Sequence, residues 1–235
     1  MCGRYSDTAE LSDIRLTFQV EGEFTHSWHP TYNIAPSSGS GFEQLIVVAP
    51  GDQPPELRLG RFWFIPKFWK KPLNLLPSSF NARAEDLTAR PFFREALRSS
   101  RCLIPATGWR EFVGARGQKQ PFHFHREEPH FAFAGLWSVW TSPEGTSVDS
   151  FAIITTAPNP VAAKVHDRMP LIMPSGLASA WLQPESDPQE LLLEAQAQSF
   201  AAPLAVFASD PKGNNPRFEG PEVVRPAPSE QRRLF

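Results

Sequence analysis

The second residue of the chain is a cysteine, and that position gives it chemistry an internal cysteine lacks. Initiator methionine is generally removed before small residues, and removal of Met1 would leave Cys2 with a free amine beside a free thiol. Such a 1,2-aminothiol condenses with an aldehyde through nitrogen and then closes a five-membered thiazolidine ring through sulfur. Reference pKa values of about 7.7 for the amine and about 8.5 for the thiol keep a useful fraction of both nucleophiles near pH 7. Gly3 adds a flexible joint and Arg4 a cation close to the reactive end.

Three further places carry residues suited to proton transfer or anion binding. Glu111 stands among large aromatics in Gly108–Phe112, where desolvation would raise its pKa and suit acid–base work. Neutralisation by Arg110 or another cation on a wet face is the competing reading. His166 lies in His166-Asp167-Arg168-Met169-Pro170, flanked by an acid and a base, and reads either as a proton donor beside an anion site or as a turn residue with a local ion pair. Asn81 and Arg83 are two apart, so an extended chain puts both on one side, an amide next to a planar fork that fits phosphate. His123 and His125 share a strand face, but no third ligand stands at a metal-like interval, so no metal site is expected. His26 and His29 read as surface groups and Cys102 as a small buried hydrophobe.

The chain has 235 residues, 41% of them hydrophobic, enough for a substantial core. No apolar run approaches the roughly eighteen residues a membrane span needs, and no export signal is visible at the N-terminus. Two cysteines are too few for a disulfide framework, which points to a reducing, cytoplasmic setting. The formal net charge is -2, yet residues 61–101 hold nine Lys or Arg against three acids, a net of +6. Phe62, Trp63, Phe64, Phe68, Trp69 and Phe80 are interleaved with that charge. Cations for phosphates and rings for unpaired bases suit single-stranded nucleic acid, although the same mixture is also what a buried aromatic core with a solvated rim would show.

Hydrophobic periodicity predicts a helix over Thr8–Gln19, with Asp7 as N-cap, and further helices at Pro91–Ser99, Ser175–Leu182 and from Pro188 to about Ser199. Strands are expected at Gln44–Ala49, Leu57–Ile65, Arg101–Ile104, Trp109–Phe112, Phe122–His125, Phe131–Trp137, Phe151–Thr156 and Leu171–Met173. The expected fold is one strand-rich α+β domain over residues 1–225, an antiparallel barrel-like or sandwiched sheet with flanking helices, followed by a loose tail over 226–235. A monomer is the expected state.

In chain order, Met1–Tyr5, Tyr32–Pro36, Asn81–Glu85, Ile104–Ala106 with Glu111 soon after, Ile153–Thr156 and His166–Pro170 together resemble the SOS response-associated peptidase (SRAP) family of abasic-site processing proteins. The resemblance implies an SRAP-like fold and a sensor of abasic sites in single-stranded DNA that needs no cofactor. It implies Cys2 as the nucleophile of a thiazolidine crosslink, Asn81 as a hydrogen-bonding partner of the N-terminal group, Glu111 as proton carrier at the amine, and His166 as general acid for sugar ring opening. Arg83 and Arg168, helped by Arg4, would hold phosphates, and Phe68 or Trp69 would wedge where the base is missing. The alternative is a Cys2-dependent thiol peptidase or hydrolase, its self-processing activity including removal of Met1; lyase-type chemistry is also implied. Phe112 after the key glutamate, Phe62-Trp63 where relatives carry Trp-Gly, and an insertion within Leu73–Phe80 depart from the family pattern.

Overall fold

The structure, a computed structural model, describes residues 2–36, 43–51, 53–115 and 117–228. In chain order the strands are β1 (Tyr5–Asp7), β2 (Thr31–Ile34), β3 (Glu43–Val48), β4 (Glu56–Arg61), β5 (Asn81–Arg83), β6 (Arg101–Ala106), β7 (Gly108–Val113), β8 (Gln120–His125), β9 (Phe131–Thr141), β10 (Ser147–Thr156), β11 (Met169–Pro170), β12 (Ile172–Met173) and β13 (Ala205–Ala208). The helices are α1 (Leu11–Phe18), α2 (Pro91–Ser99), α3 (Ser175–Leu182) and α4 (Pro188–Ala201). None of the described helices is long and apolar enough to cross a membrane.

The strands form two sheets, ordered β13-β8-β7-β1-β2 and β11-β10-β4-β3-β6-β9-β12. Because β9 also pairs with β10, the larger sheet closes on itself through β10, β4, β3, β6 and β9, the barrel-like arrangement expected. Most pairings are antiparallel, but β10 pairs in parallel with both β4 and β5. The long stretch of chain between β5 and β10, which includes α2 and β6–β9, makes that possible, since parallel neighbours need a crossover rather than a tight turn.

Burial explains why so many strands are apolar without a break. On β3, Leu45 and Val47 face one core, which Ile14 of α1, Phe93 and Leu97 of α2, Trp181 of α3 and Leu192 of α4 complete. Ile46 and Val48 face the other core, where the smaller sheet contributes Tyr5, Ile34, Trp109 and Phe124. A strand covered on both sides reads as continuous Val, Ile and Leu rather than as an alternation.

Gly135 marks the tightest point of the ring. A Cβ there would lie 2.5 Å from Ile104 Cδ1, 2.8 Å from Cys102 Sγ and 3.1 Å from the Ala152 carbonyl. Gly135→Ala is expected to destabilise the fold by about 1–3 kcal/mol, the usual cost of overpacking, visible as a lower denaturant midpoint with an unchanged slope.

Four details differ from expectation. The first helix starts at Leu11 with Glu10 as N-cap, because Asp7 belongs to β1 and pairs with Thr31. The strand expected to reach Ile65 stops at Arg61, whose carbonyl accepts the Trp63 N–H at 2.7 Å in a turn. The short strands β1, β2 and β13 have too few residues to show a period. The expected loose tail is anchored at its start: Pro226 bridges Ser209, the Ala227 N–H donates to the Ala208 carbonyl at 2.8 Å, and Ala227 is buried. Residues 229–235 of that tail lie outside the described residues.

Asp7 is buried with one hydrogen bond, from the Ala9 N–H at 3.4 Å, and burial pushes its pKa up to about 7. A carboxyl raised in the folded state takes up a proton on folding, so its contribution weakens as pH rises from the unfolded value through about 7. Asp7→Asn should therefore raise the melting temperature at pH 8, with the gain vanishing toward pH 4.

Candidate active site at the N-terminal cysteine

The N-terminal arm is stitched along β7. Tyr5 pairs with Trp109, and the Arg110 N–H donates to the Arg4 carbonyl at 2.9 Å, so the residues just before β1 run beside Glu111. Cys2 is fully buried. Its carbonyl accepts a hydrogen bond from Asn81 Nδ2 at 3.1 Å, the same amide nitrogen that donates to the Phe80 carbonyl. Asn81 Oδ1 is buried with no hydrogen-bond partner among the described residues, so the amide keeps one acceptor for a group at Cys2. Asn81 is placed there by β5, whose register sets it opposite Ile153.

His166 reaches the site from the turn before β11, a strand held by Thr155 and Thr156 of β10. Its Nε2 lies 3.9 Å from Glu111 Oε2, longer than a direct hydrogen bond but within electrostatic reach. Nδ1 stands 3.0 Å from the Arg168 N–H and 2.9 Å from Asp167 Oδ1, and it cannot accept from one while donating to the other. The Asp167 side chain is 88% exposed and solvated, whereas the backbone N–H is fixed. Burial also depresses the His166 pKa. We therefore assign a neutral ring that accepts at Nδ1 and carries its proton on Nε2, toward Glu111.

Glu111 is 4% exposed, and burial raises its pKa to about 8, with the charge of Asp167 adding to the rise. Near neutral pH it holds a proton and sits close to the point of exchange. The reading in which Arg110 neutralises Glu111 on a wet face fails, because the Arg110 side chain crosses to the other side of β7 and donates to Asn33 Oδ1. Burial pushes the Cys2 thiol well above its ordinary value, and the Glu111 carboxylate adds to that.

The cations divide into two groups. Arg83 is exposed at the end of β5, where it pairs with Thr155. Arg168 donates to the Thr155 carbonyl at 2.6 Å, so both arginines flank one buried residue near the end of β10, between β5 and β11. Arg4 corrects an expectation. Its guanidinium donates to Asn33 Oδ1 at 2.8 Å and to the carbonyls of Gly213 and Asn214 at 3.0 and 3.2 Å, and it lies 5.7 Å from the centre of the Phe112 ring. It clamps the C-terminal loop instead of offering a free fork to phosphate. Asn33 and Arg110 belong to that clamp, a role the sequence assigned to neither, although Asn33 lies inside Tyr32–Pro36; buried polar networks leave no periodic mark.

Of the two wedge candidates, Phe68 is 50% exposed and flanked by the exposed Lys67 and Lys70. Trp69 is half-buried: its ring packs against Phe92 and its carbonyl accepts the Trp140 indole N–H at 2.8 Å. The aromatic pair nearest to Asn81 in the chain is Trp63 with Phe80, ring centres 5.5 Å apart. Cys102 is buried in the core as expected.

A β-barrel that buries Cys2, holds its carbonyl with the Asn81 amide and sets the Glu111 carboxyl opposite the His166 imidazole beside it defines a class of proteins built around a cysteine at the second position. The model of the family described as SOS response associated peptidase (SRAP) matches residues 1–208, and the chain belongs to that family. It is 35% identical over 231 residues to the abasic site processing protein YoqW of Bacillus subtilis (strain 168), covering 93% of this chain and 98% of that one. Identity to the abasic site processing protein YedK of Escherichia coli (strain K12) is 26%, over 96% of this chain and 100% of that one. A crystal structure of a Bacteroides thetaiotaomicron protein shares the fold with a TM-score of 0.80 at 20% identity, covering 96% of this chain and all of the other.

Proposed function

We propose that this protein recognises abasic sites in single-stranded DNA and captures them covalently through Cys2 once Met1 has been removed. The observation that carries the reading is the convergence on buried Cys2 of Asn81, Glu111 and His166, beside the arginine pair at Thr155. An abasic deoxyribose opens from hemiacetal to aldehyde when its ring oxygen gains a proton, and His166 Nε2–H is aimed to supply one. The Cys2 nitrogen then adds to the aldehyde carbon, and Glu111 moves protons so that the carbinolamine hydroxyl leaves as water and an imine forms. The thiol adds to the C=N carbon, its proton passes to nitrogen, and the thiazolidine closes with loss of one water overall.

Arg83 and Arg168 would hold flanking phosphates, which fix position without reading sequence. Phe68, between exposed lysines, would supply a stacking face, a contact that typically contributes roughly 1–3 kcal/mol per base. The relatives named as abasic site processing proteins support this reading. A thiol peptidase would need a thiolate stabilised by a neighbouring imidazolium. Here burial and Glu111 act the opposite way on Cys2, and His166 faces the carboxyl. Mass spectrometry of mature protein mixed with an abasic single strand tests the proposal. The expected adduct has the summed mass less one water and maps to Cys2; peptide turnover without any adduct would overturn it.

A further inference from the structure

The outward guanidinium edge of Arg168 is already occupied by the protein itself. Glu85, in the short 3-10 turn after β5, places Oε1 2.8 Å from Nη1 and Oε2 2.9 Å from Nη2. Two oxygens meeting two nitrogens is also the geometry in which a phosphate takes an arginine. The rest of the guanidinium faces inward. Nη2 also donates to the Thr155 carbonyl at 2.6 Å, and Nε is buried with no hydrogen-bond partner among the described residues. The Arg168 side chain is 14% exposed and that of Glu85 48%, so a phosphate arriving from solvent meets the carboxylate before the fork.

We propose that Glu85 is a resident competitor for DNA phosphate at Arg168, a specificity-determining residue that weakens reversible binding to strands offering only their backbone. The inference rests on the reading of Arg168 as a phosphate ligand given above. Two effects of Glu85 oppose each other, since it could hold Arg168 in position or block it. The Thr155 carbonyl at 2.6 Å and hydroxyl at 3.4 Å hold the guanidinium without help from Glu85, so blocking wins. Arg83, exposed beside the same residue, reinforces the attraction for a phosphate once the carboxylate swings away. A strand captured at Cys2 no longer depends on reversible affinity, whereas an intact strand does, so the competitor favours release of undamaged DNA.

Fluorescence anisotropy with a single strand carrying a tetrahydrofuran abasic analogue tests this, because the analogue has no aldehyde and binds only reversibly. Glu85→Gln should tighten binding by about three- to tenfold, the scale of a freed charged fork at a partly exposed site. Arg168→Gln should weaken it, and the double variant should bind no more tightly than Arg168→Gln alone. Unchanged binding by E85Q, or tightening that persists without Arg168, would overturn the inference. Weaker binding would do so too, by showing that Glu85 positions the fork. A parallel crosslinking gel with a true abasic site separates the two levels. If the wild type crosslinks and E85Q gains no affinity, only the role of Glu85 fails. If the wild type neither binds nor crosslinks, the capture reading fails and this inference with it.

Discussion

Cys2→Ala is expected to abolish the covalent product entirely, leaving no heat-stable band on a denaturing gel with abasic single-stranded DNA. Alanine keeps the α-amine, which can still form an imine, but it has no sulfur to close the ring, and an open imine hydrolyses. Borohydride reduction should therefore trap a Cys2→Ala adduct that heat alone would destroy. Cys2→Ser should give at most a trace, because a hydroxyl is a far weaker nucleophile than a thiol at this pH. Acetylation of the N-terminal amine should be as damaging as loss of the thiol. A Cys2→Ala protein that still formed the full heat-stable product would exclude the aminothiol mechanism, as would an acetylated protein that did so.

Glu111→Gln carries the second largest expected effect, a loss of about 10²–10⁴-fold in the rate of capture, the range for a positioned acid–base group. The pH profile tells a chemical role from a structural one. Burial raises Glu111 to about 8, so its carboxylate form is lost as pH falls below that value. The α-amine protonates with a reference pKa of about 7.7, so the wild-type rate should fall on the acid side with two proton uptakes and the variant rate with one. Linkage gives the matching statement about stability. A carboxyl with a raised folded pKa weakens the fold as pH rises toward about 8, and Glu111→Gln removes that penalty. The variant should be slow yet no less stable at pH 8. A variant that lost rate and melting temperature together, with an unchanged profile, would make Glu111 structural only.

Much of the fold was legible because its signals are local. Helices α2 and α3 match their expected limits, each opening at a proline or just after one, a residue that suits the first turn. The apolar runs within β3, β6, β9 and β10 marked them as strands, and the structure buries them between two cores. The failures are of the opposite kind. Asp7 has the residue type of an N-cap, but pairing with β2 draws it into a strand, and tertiary hydrogen bonds override a capping preference of about 1 kcal/mol. Arg4 looked like a free cation because its partners, the Gly213 and Asn214 carbonyls, lie more than two hundred residues away in the chain.

The sequence by itself determined the side chains on offer: a thiol at the second position in Cys2, a carboxyl among aromatics at Glu111, an imidazole beside an arginine at His166, and an amide and a fork at Asn81 and Arg83. Those identities follow from covalent structure and nearest neighbours. Which reagents meet, and in what protonation state, only the tertiary structure decided. Glu111 faces His166 rather than Arg110, Arg168 is filled by Glu85, and Arg4 turns inward. The physical reason is that pKa values and ion pairing depend on dielectric and distance. Both are set by pairings such as Asn81 with Ile153 and Thr155 with Pro170, contacts between distant segments that no local pattern encodes.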